Sequence, residues 1–121
     1  MQLPYARPMS IFESLHDNVV ADTDLLRKND ELGDVFTIAR QVDFAFETPD
    51  RERAADFAEF VTGKNFGRTE ITETENNQLR ILVFINMPIT QHLVCSVSGF
   101  MLCLGTLFKI SYKGWGSVIQ K

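Results

Sequence analysis

Apolar positions along this 121-residue chain recur with two different periods, and the switches between them mark out its elements. Ile11, Phe12, Leu15 and Val19 fall on one helical face behind Ser10-Ile11-Phe12-Glu13, which has the spacing of a capping box. A further helical stretch carries Leu25, Leu26 and Leu32 and stops at Gly33, a residue suited to a left-handed cap. The pattern leaves open whether this is one bent helix or two. Val42, Phe44 and Phe46 then alternate with Asp43, Ala45 and Glu47, as in a half-buried strand. Thr48-Pro49-Asp50 reads as the start of a helix, with Thr48 as cap, proline in the first turn and an early acid; its stripe is Ala54, Phe57, Ala58 and Val61, ended by Gly63. Residues 67–75 alternate weakly, with Ile71 nearly alone among Thr and Glu, which suits a charged edge strand. Asn76-Asn77-Gln78 is a hairpin turn, and Leu79 to Met87 is apolar on both faces, as in a central strand. Beyond Pro88 and a cap at Thr90, a last helix carries Leu93, Val94, Val97, Phe100, Met101, Leu104, Leu107 and Phe108 at helical spacing. Ile110 onward reads as the final strand.

After the N-terminal helical part, the order is strand, helix, strand, strand, helix, strand. That is the split βαβ plan: an α+β, ferredoxin-like βαββαβ sandwich with an N-terminal helical extension. Right-handed crossovers place the first and third strands at the middle of an antiparallel sheet with both helices on one face. The expected layout is a single domain: residues 1–9 loose, 10–33 a helical extension and 36–121 the core. The last helix has an uncharged outer side, and Leu82 and Phe84 leave apolar surface on the third strand. The stripe Ile11, Phe12, Leu15, Val19 is expected to cover one of these, within this chain or in a second copy as a homodimer. A membrane span is the competing reading of the last helix. Its run is shorter than the roughly 20 residues a bilayer needs, and no membrane association is expected.

Composition narrows the chemistry. Apolar content of 45% and charged content of 23% are those of a globular chain. The net charge of −4 suits a basic partner and disfavours phosphate. Acids cluster at Asp17, Asp22, Asp24, Asp30, Glu31 and Asp34, and again at Glu70, Glu73 and Glu75. Cys95 and Cys103, eight apart on one helix, are about 12 Å apart along its axis. They read as buried thiols in a reducing, cytoplasmic setting. His92 and Cys95 could face each other, but no orienting group or oxyanion donors accompany them. Glu73 and Glu75 could share a strand face as a carboxylate pair, with a solvated edge as the plainer account. With two histidines and no paired ligands at metal spacing, neither a metal nor a cofactor is expected. No catalytic residue is assigned, and the chain is not read as an enzyme. Phe44 and Phe46 alternate as the stacking aromatics of an RNA-binding sheet would. The third strand lacks the accompanying basic-glycine-aromatic signature, which argues against direct nucleic-acid binding.

The densest signal is Tyr112-Lys113-Gly114-Trp115-Gly116-Ser117, which holds the only Trp. Glycine on both sides of a bulky ring means that the backbone there bends or approaches something closely. This ending resembles the Tyr-Asp-Gly-Trp-Gly-Thr signature of the RraB family, regulators of ribonuclease E activity B. Glu31-Leu32-Gly33-Asp34 and Arg40-Gln41-Val42-Asp43-Phe44 resemble the family's Gly-Asp and Arg-x-Val-Asp elements. The resemblance spans about residues 18 to 119, with Lys113 in place of the family Asp. It implies a bacterial, cytoplasmic, non-enzymatic protein of ferredoxin-like fold. Such a protein binds the endonuclease or its scaffold region outside the catalytic centre and inhibits or modulates it. Partner-binding candidates are then Tyr112, Lys113, Trp115, Asp30, Glu31, Asp34 and Asp43, with Gly114 and Gly116 as structural residues of the motif. Trp115 is expected to be buried along one edge, with the Tyr112 hydroxyl and the Lys113 ammonium at the rim. The alternatives are a single-stranded RNA or small-ligand module using the open sheet face, and an immunity-type inhibitor of another nuclease.

Overall fold

The structure, a computed structural model, describes residues 10–121; the expectation for residues 1–9 lies outside the described residues. Helix α1 (Ile11–Glu31) is one continuous element. The Ser10 hydroxyl accepts the Glu13 N–H at 3.1 Å, and Glu13 Oε1 accepts the Ser10 N–H at 3.0 Å, so the capping box satisfies two otherwise orphaned donors. The helix stops where Gly33 takes φ +83°, a conformation that costs a residue without Cβ little. Strand β1 (Arg40–Thr48), helix α2 (Arg51–Gly63), strands β2 (Arg68–Glu73) and β3 (Leu79–Met87), helix α3 (Gln91–Phe108) and strand β4 (Ser111–Ser117) follow. Asp50, rather than Thr48, caps α2, accepting the Arg53 N–H at 3.0 Å.

The four strands form one antiparallel sheet in the order β2-β3-β1-β4, so β1 and β3 are central and β2 is an edge. Val42, Phe44 and Phe46 on β1 meet Ile81 and Val83 on β3 and are fully buried against the helices, together with Phe57 and Val61 of α2 and Val94 and Met101 of α3. Phe44 and Phe46 therefore belong to the core. The aromatics picked out as possible base-stacking residues present no face to a nucleic acid, because the even-numbered positions of β1 all point at the helix layer.

Helix α3 is 18 residues long and, by length and composition alone, apolar enough to cross a membrane. In the fold it lies on the sheet and is flanked by α1 on one side. Aromatic contacts join it to α2 and the loop after it on the other, with Phe108 against Phe57 and Phe60 of α2 at 5.4 Å between ring centroids and Phe100 against Phe66 of the loop at 5.1 Å.

The docking of α1 departs from the expected stripe. Ile11, Phe12 and Val19 are exposed, Phe12 at 78%. The face turned to α3 carries Leu15, Asn18, Asp22, Leu26 and Asn29, which keep the three-four spacing but include three polar residues. The reason is what α3 offers there: Gly99, approached by Leu15 Cδ2 to 3.5 Å of where a Cβ would stand, and the buried hydroxyl of Ser98. Small residues and a hydroxyl accept a helix through hydrogen bonds rather than through an apolar ridge.

Candidate functional site

Strand β4 brings its two large aromatics to one face by a device visible in its register. Residues 112 and 115 are an odd number apart and would point to opposite faces of a regular strand. Gly114 pairs with Ala45 and Tyr112 with Phe46, leaving Lys113 as an extra, bulged residue. Gly114 takes φ +104° to make the bulge. Tyr112 and Trp115 consequently both face the helices, Trp115 only 8% exposed. Gly116 meets no such demand: a Cβ there would stand 3.4 Å from Asp43 Oδ1, close to an ordinary contact.

Around this bulge lies a buried polar cluster joining α1, α3 and β4. The Trp115 indole N–H donates to Asp22 Oδ1 at 3.1 Å, and Ser98 Oγ donates to the same oxygen at 3.1 Å. With its single proton committed, Ser98 accepts from Asn18 Nδ2 at 3.1 Å and from the Tyr112 hydroxyl at 2.8 Å. Burial pushes the Tyr112 phenol well above its usual range, so it remains a donor. Burial also raises Asp22, with the Ser98 and Trp115 hydrogen bonds opposing that effect. The other Asp22 oxygen, Oδ2, is buried and has no partner. Beside the cluster is a cavity of about 270 Å³ between α1 and β4, lined by Asn18, Ala21, Asp22, Leu25, Tyr112, Lys113, Gly114 and Trp115.

A second buried cluster explains the two shorter motifs. The Asp34 and Arg40 side chains are 0% and 2% exposed and form an ion pair at 2.8 Å. Asn29 Nδ2 and the Gln120 N–H also donate to Asp34, at 3.1 and 3.2 Å. Arg40 donates further to the carbonyls of Val35, Ile38 and Val118. The Gly-Asp and Arg-x-Val-Asp elements are thus two halves of one clamp, which ties the end of α1 and the residues after β4 to the start of β1.

The partner-binding candidates separate accordingly. Asp30, Glu31 and Lys113 are exposed, and Asp43 is half-buried on the outer sheet face. Asp34 is enclosed by its donors. Trp115 is buried as expected, but the Tyr112 hydroxyl is turned inward to Ser98 rather than left at the rim, because the bulge rotates it onto the helix face. Of the acidic α1 segment, Asp22 and Asp34 are internal, whereas Asp17, Asp24, Asp30 and Glu31 are exposed. Glu73 pairs with Arg51 at 2.9 Å, and Glu75 lies past the end of β2, so the two form no carboxylate pair on one strand face. Burial, with the Asp22 charge adding to it and a Thr23 hydrogen bond opposing, raises the Cys95 thiol; it is kept protonated and a poor nucleophile. Among the described residues, no group of three or more His, Cys, Asp or Glu could hold a metal ion.

Asp22 and Ser98 were not singled out from sequence. The available signal was weak: a Ser-Gly pair inside an otherwise apolar helix, and an Asp in phase with Leu15, Asn18 and Leu26.

The sequence model of a family described as regulator of ribonuclease activity B, RraB, matches residues 20–117, which include both buried clusters except Asn18, Val118 and Gln120. No curated protein matches the chain.

Proposed function

The chain belongs to the RraB family, a family of regulators of ribonuclease activity, and we propose that it binds a ribonuclease of the ribonuclease E type and restrains it through protein–protein contacts, without catalysing a reaction itself. The observation that carries this reading is the helix-layer surface. Phe12 is 78% and Leu107 is 79% exposed, and Ile11 and Phe100 are exposed as well, beside a helix, α3, that bears no charged side chain. Asp17, Asp24, Asp30 and Glu31 are exposed along α1 next to it. Apolar surface flanked by acids suits a basic protein partner: the apolar part supplies affinity, and the charge speeds encounter. The Tyr-x-Gly-Trp-Gly signature supports this surface from beneath, since its indole and phenol hold α1 against α3. The same reading assigns the sheet to the ferredoxin-like group and the chain to the bacterial cytoplasm.

Association and dissociation rates of the purified chain with immobilised ribonuclease E, together with inhibition of RNA cleavage, test the proposal. Binding should weaken and slow as salt rises, and Asp30→Lys should lower the on-rate severalfold with little change in dissociation. Absence of binding, or association indifferent to both salt and Asp30→Lys, would overturn it. Direct binding of a labelled single-stranded RNA to the chain alone would favour the competing RNA-binding reading.

A further inference from the structure

The chain contains two carboxylates buried beneath α1, and it treats them differently. Asp34 has a guanidinium at 2.8 Å and donors on both oxygens. Asp22 is 3% exposed and has two neutral donors on Oδ1, nothing on Oδ2, and no salt-bridging cation among the described residues. A buried carboxylate with an orphaned oxygen and no counter-charge is costly unless something compensates it. Such a group calls for either a bound proton or a cation.

Asp22 lines a cavity, and a cation seated there would lie beside the carboxylate, although Oδ2 itself is closed to solvent. The roughly 270 Å³ cavity has Tyr112 and Trp115 on its β4 side, and aromatic rings attract cations through their negative faces. The protein already uses this contact elsewhere, with the Arg68 guanidinium 4.2 Å from the centroid of Phe84. On the β4 side, Gly114 contributes no side chain, and a Cβ there would meet nothing within 4 Å, so nothing closes the cavity at that point. Lys113, the bulged residue, is exposed at the same rim and makes no ion pair with Asp22.

We propose that the cavity between α1 and β4 is a socket for a cationic side chain, the guanidinium or ammonium of an arginine or lysine on the protein partner, with Asp22 as its counter-charge and Tyr112 and Trp115 as its aromatic wall. The socket rests on the proposed function only for the source of the side chain. Its chemistry belongs to this chain alone. Lys113 opposes the incoming charge and tunes affinity downward.

The test uses Trp115, whose indole N–H is the only one in the chain and is bonded to Asp22. The intact protein is titrated with N-acetyl-arginine amide, N-acetyl-lysine amide and the uncharged N-acetyl-citrulline amide while the indole resonance is followed by NMR. A saturable shift with the two cations and none with citrulline is expected. Asp22→Asn keeps an acceptor for Trp115 and Ser98 and removes the charge. It should weaken the arginine response by about tenfold or more while the melting temperature holds or rises. Lys113→Ala, at an exposed position, should strengthen the response severalfold and serves as the second variant if Asp22→Asn folds poorly. No saturable shift, an equal response to citrulline, or arginine binding unchanged in a folded Asp22→Asn would overturn the socket. Arginine binding in a chain that fails to capture ribonuclease E would support the socket and refute the proposed partner. Capture unaffected by a folded Asp22→Asn would refute the socket and leave the partner standing.

Discussion

Replacing Trp115 with Phe removes the donor that the indole places 3.1 Å from Asp22 Oδ1 while keeping an aromatic ring at the site. A hydrogen bond to an ionised group contributes about 1.5–3 kcal/mol, and a void the size of the missing ring atoms costs about 1 kcal/mol more. Asp22 would be left with Ser98 as its one donor and with Oδ2 still unpartnered, so the loss should fall at about 2.5–4 kcal/mol. At roughly 4 °C per kcal/mol for a domain of this size, the melting temperature should drop by about 10–16 °C. The damage should be local as well as global, because the indole is one of the few groups joining β4 to α1. Amide hydrogen exchange in α1 around Asp22 should accelerate before that of the central strands β1 and β3. Repeating the substitution in an Asp22→Asn background should cost about 1 kcal/mol less, since the acceptor is then neutral. A fall of less than about 3 °C, with α1 protection unchanged, would refute the argument that the signature tryptophan holds the helix in place.

Arg40→Ala leaves the Asp34 carboxylate buried without its cation and should cost about 3–5 kcal/mol in urea unfolding, whereas Arg51→Ala, at the exposed pair with Glu73, should cost less than about 1 kcal/mol. Because Asp22 is raised from the ordinary aspartate value of 3.8, the folded state holds that proton to higher pH than the unfolded chain does. Its contribution to stability is therefore full below 3.8 and is lost as pH climbs through the raised folded value; melts of Asp22→Asn across the weakly acidic range should lack this decline, and a parallel pH profile would contradict it.

Much of the architecture was legible from patterning alone. The alternation through Val42, Phe44 and Phe46, the charged edge around Ile71 and the Ser10–Glu13 box each depend on contacts within a few residues or on a single face meeting the core. The sequence pattern therefore settles them. The central placement of β1 and β3 also follows, because their strands are the most apolar ones and the crossover hand allows little else. The glycines of the signature announced a bend, and Gly114 makes one.

Three things were decided only by the tertiary structure. The face of α1 that docks was misread because hydrophobic phase assumes an apolar acceptor, whereas α3 presents Ser98 and Gly99 at that point. Asp34, which reads as one more acid in an exposed cluster, is enclosed because Arg40, six residues away, folds back over it. Asp22 could not be distinguished from Asp17 or Asp24 by composition or spacing. Its burial depends on a tryptophan 93 positions later, brought within 3.1 Å by a one-residue bulge. Local sequence sets which residues can form a helix or strand; which polar group is then buried depends on what the distant partner surface can donate to it.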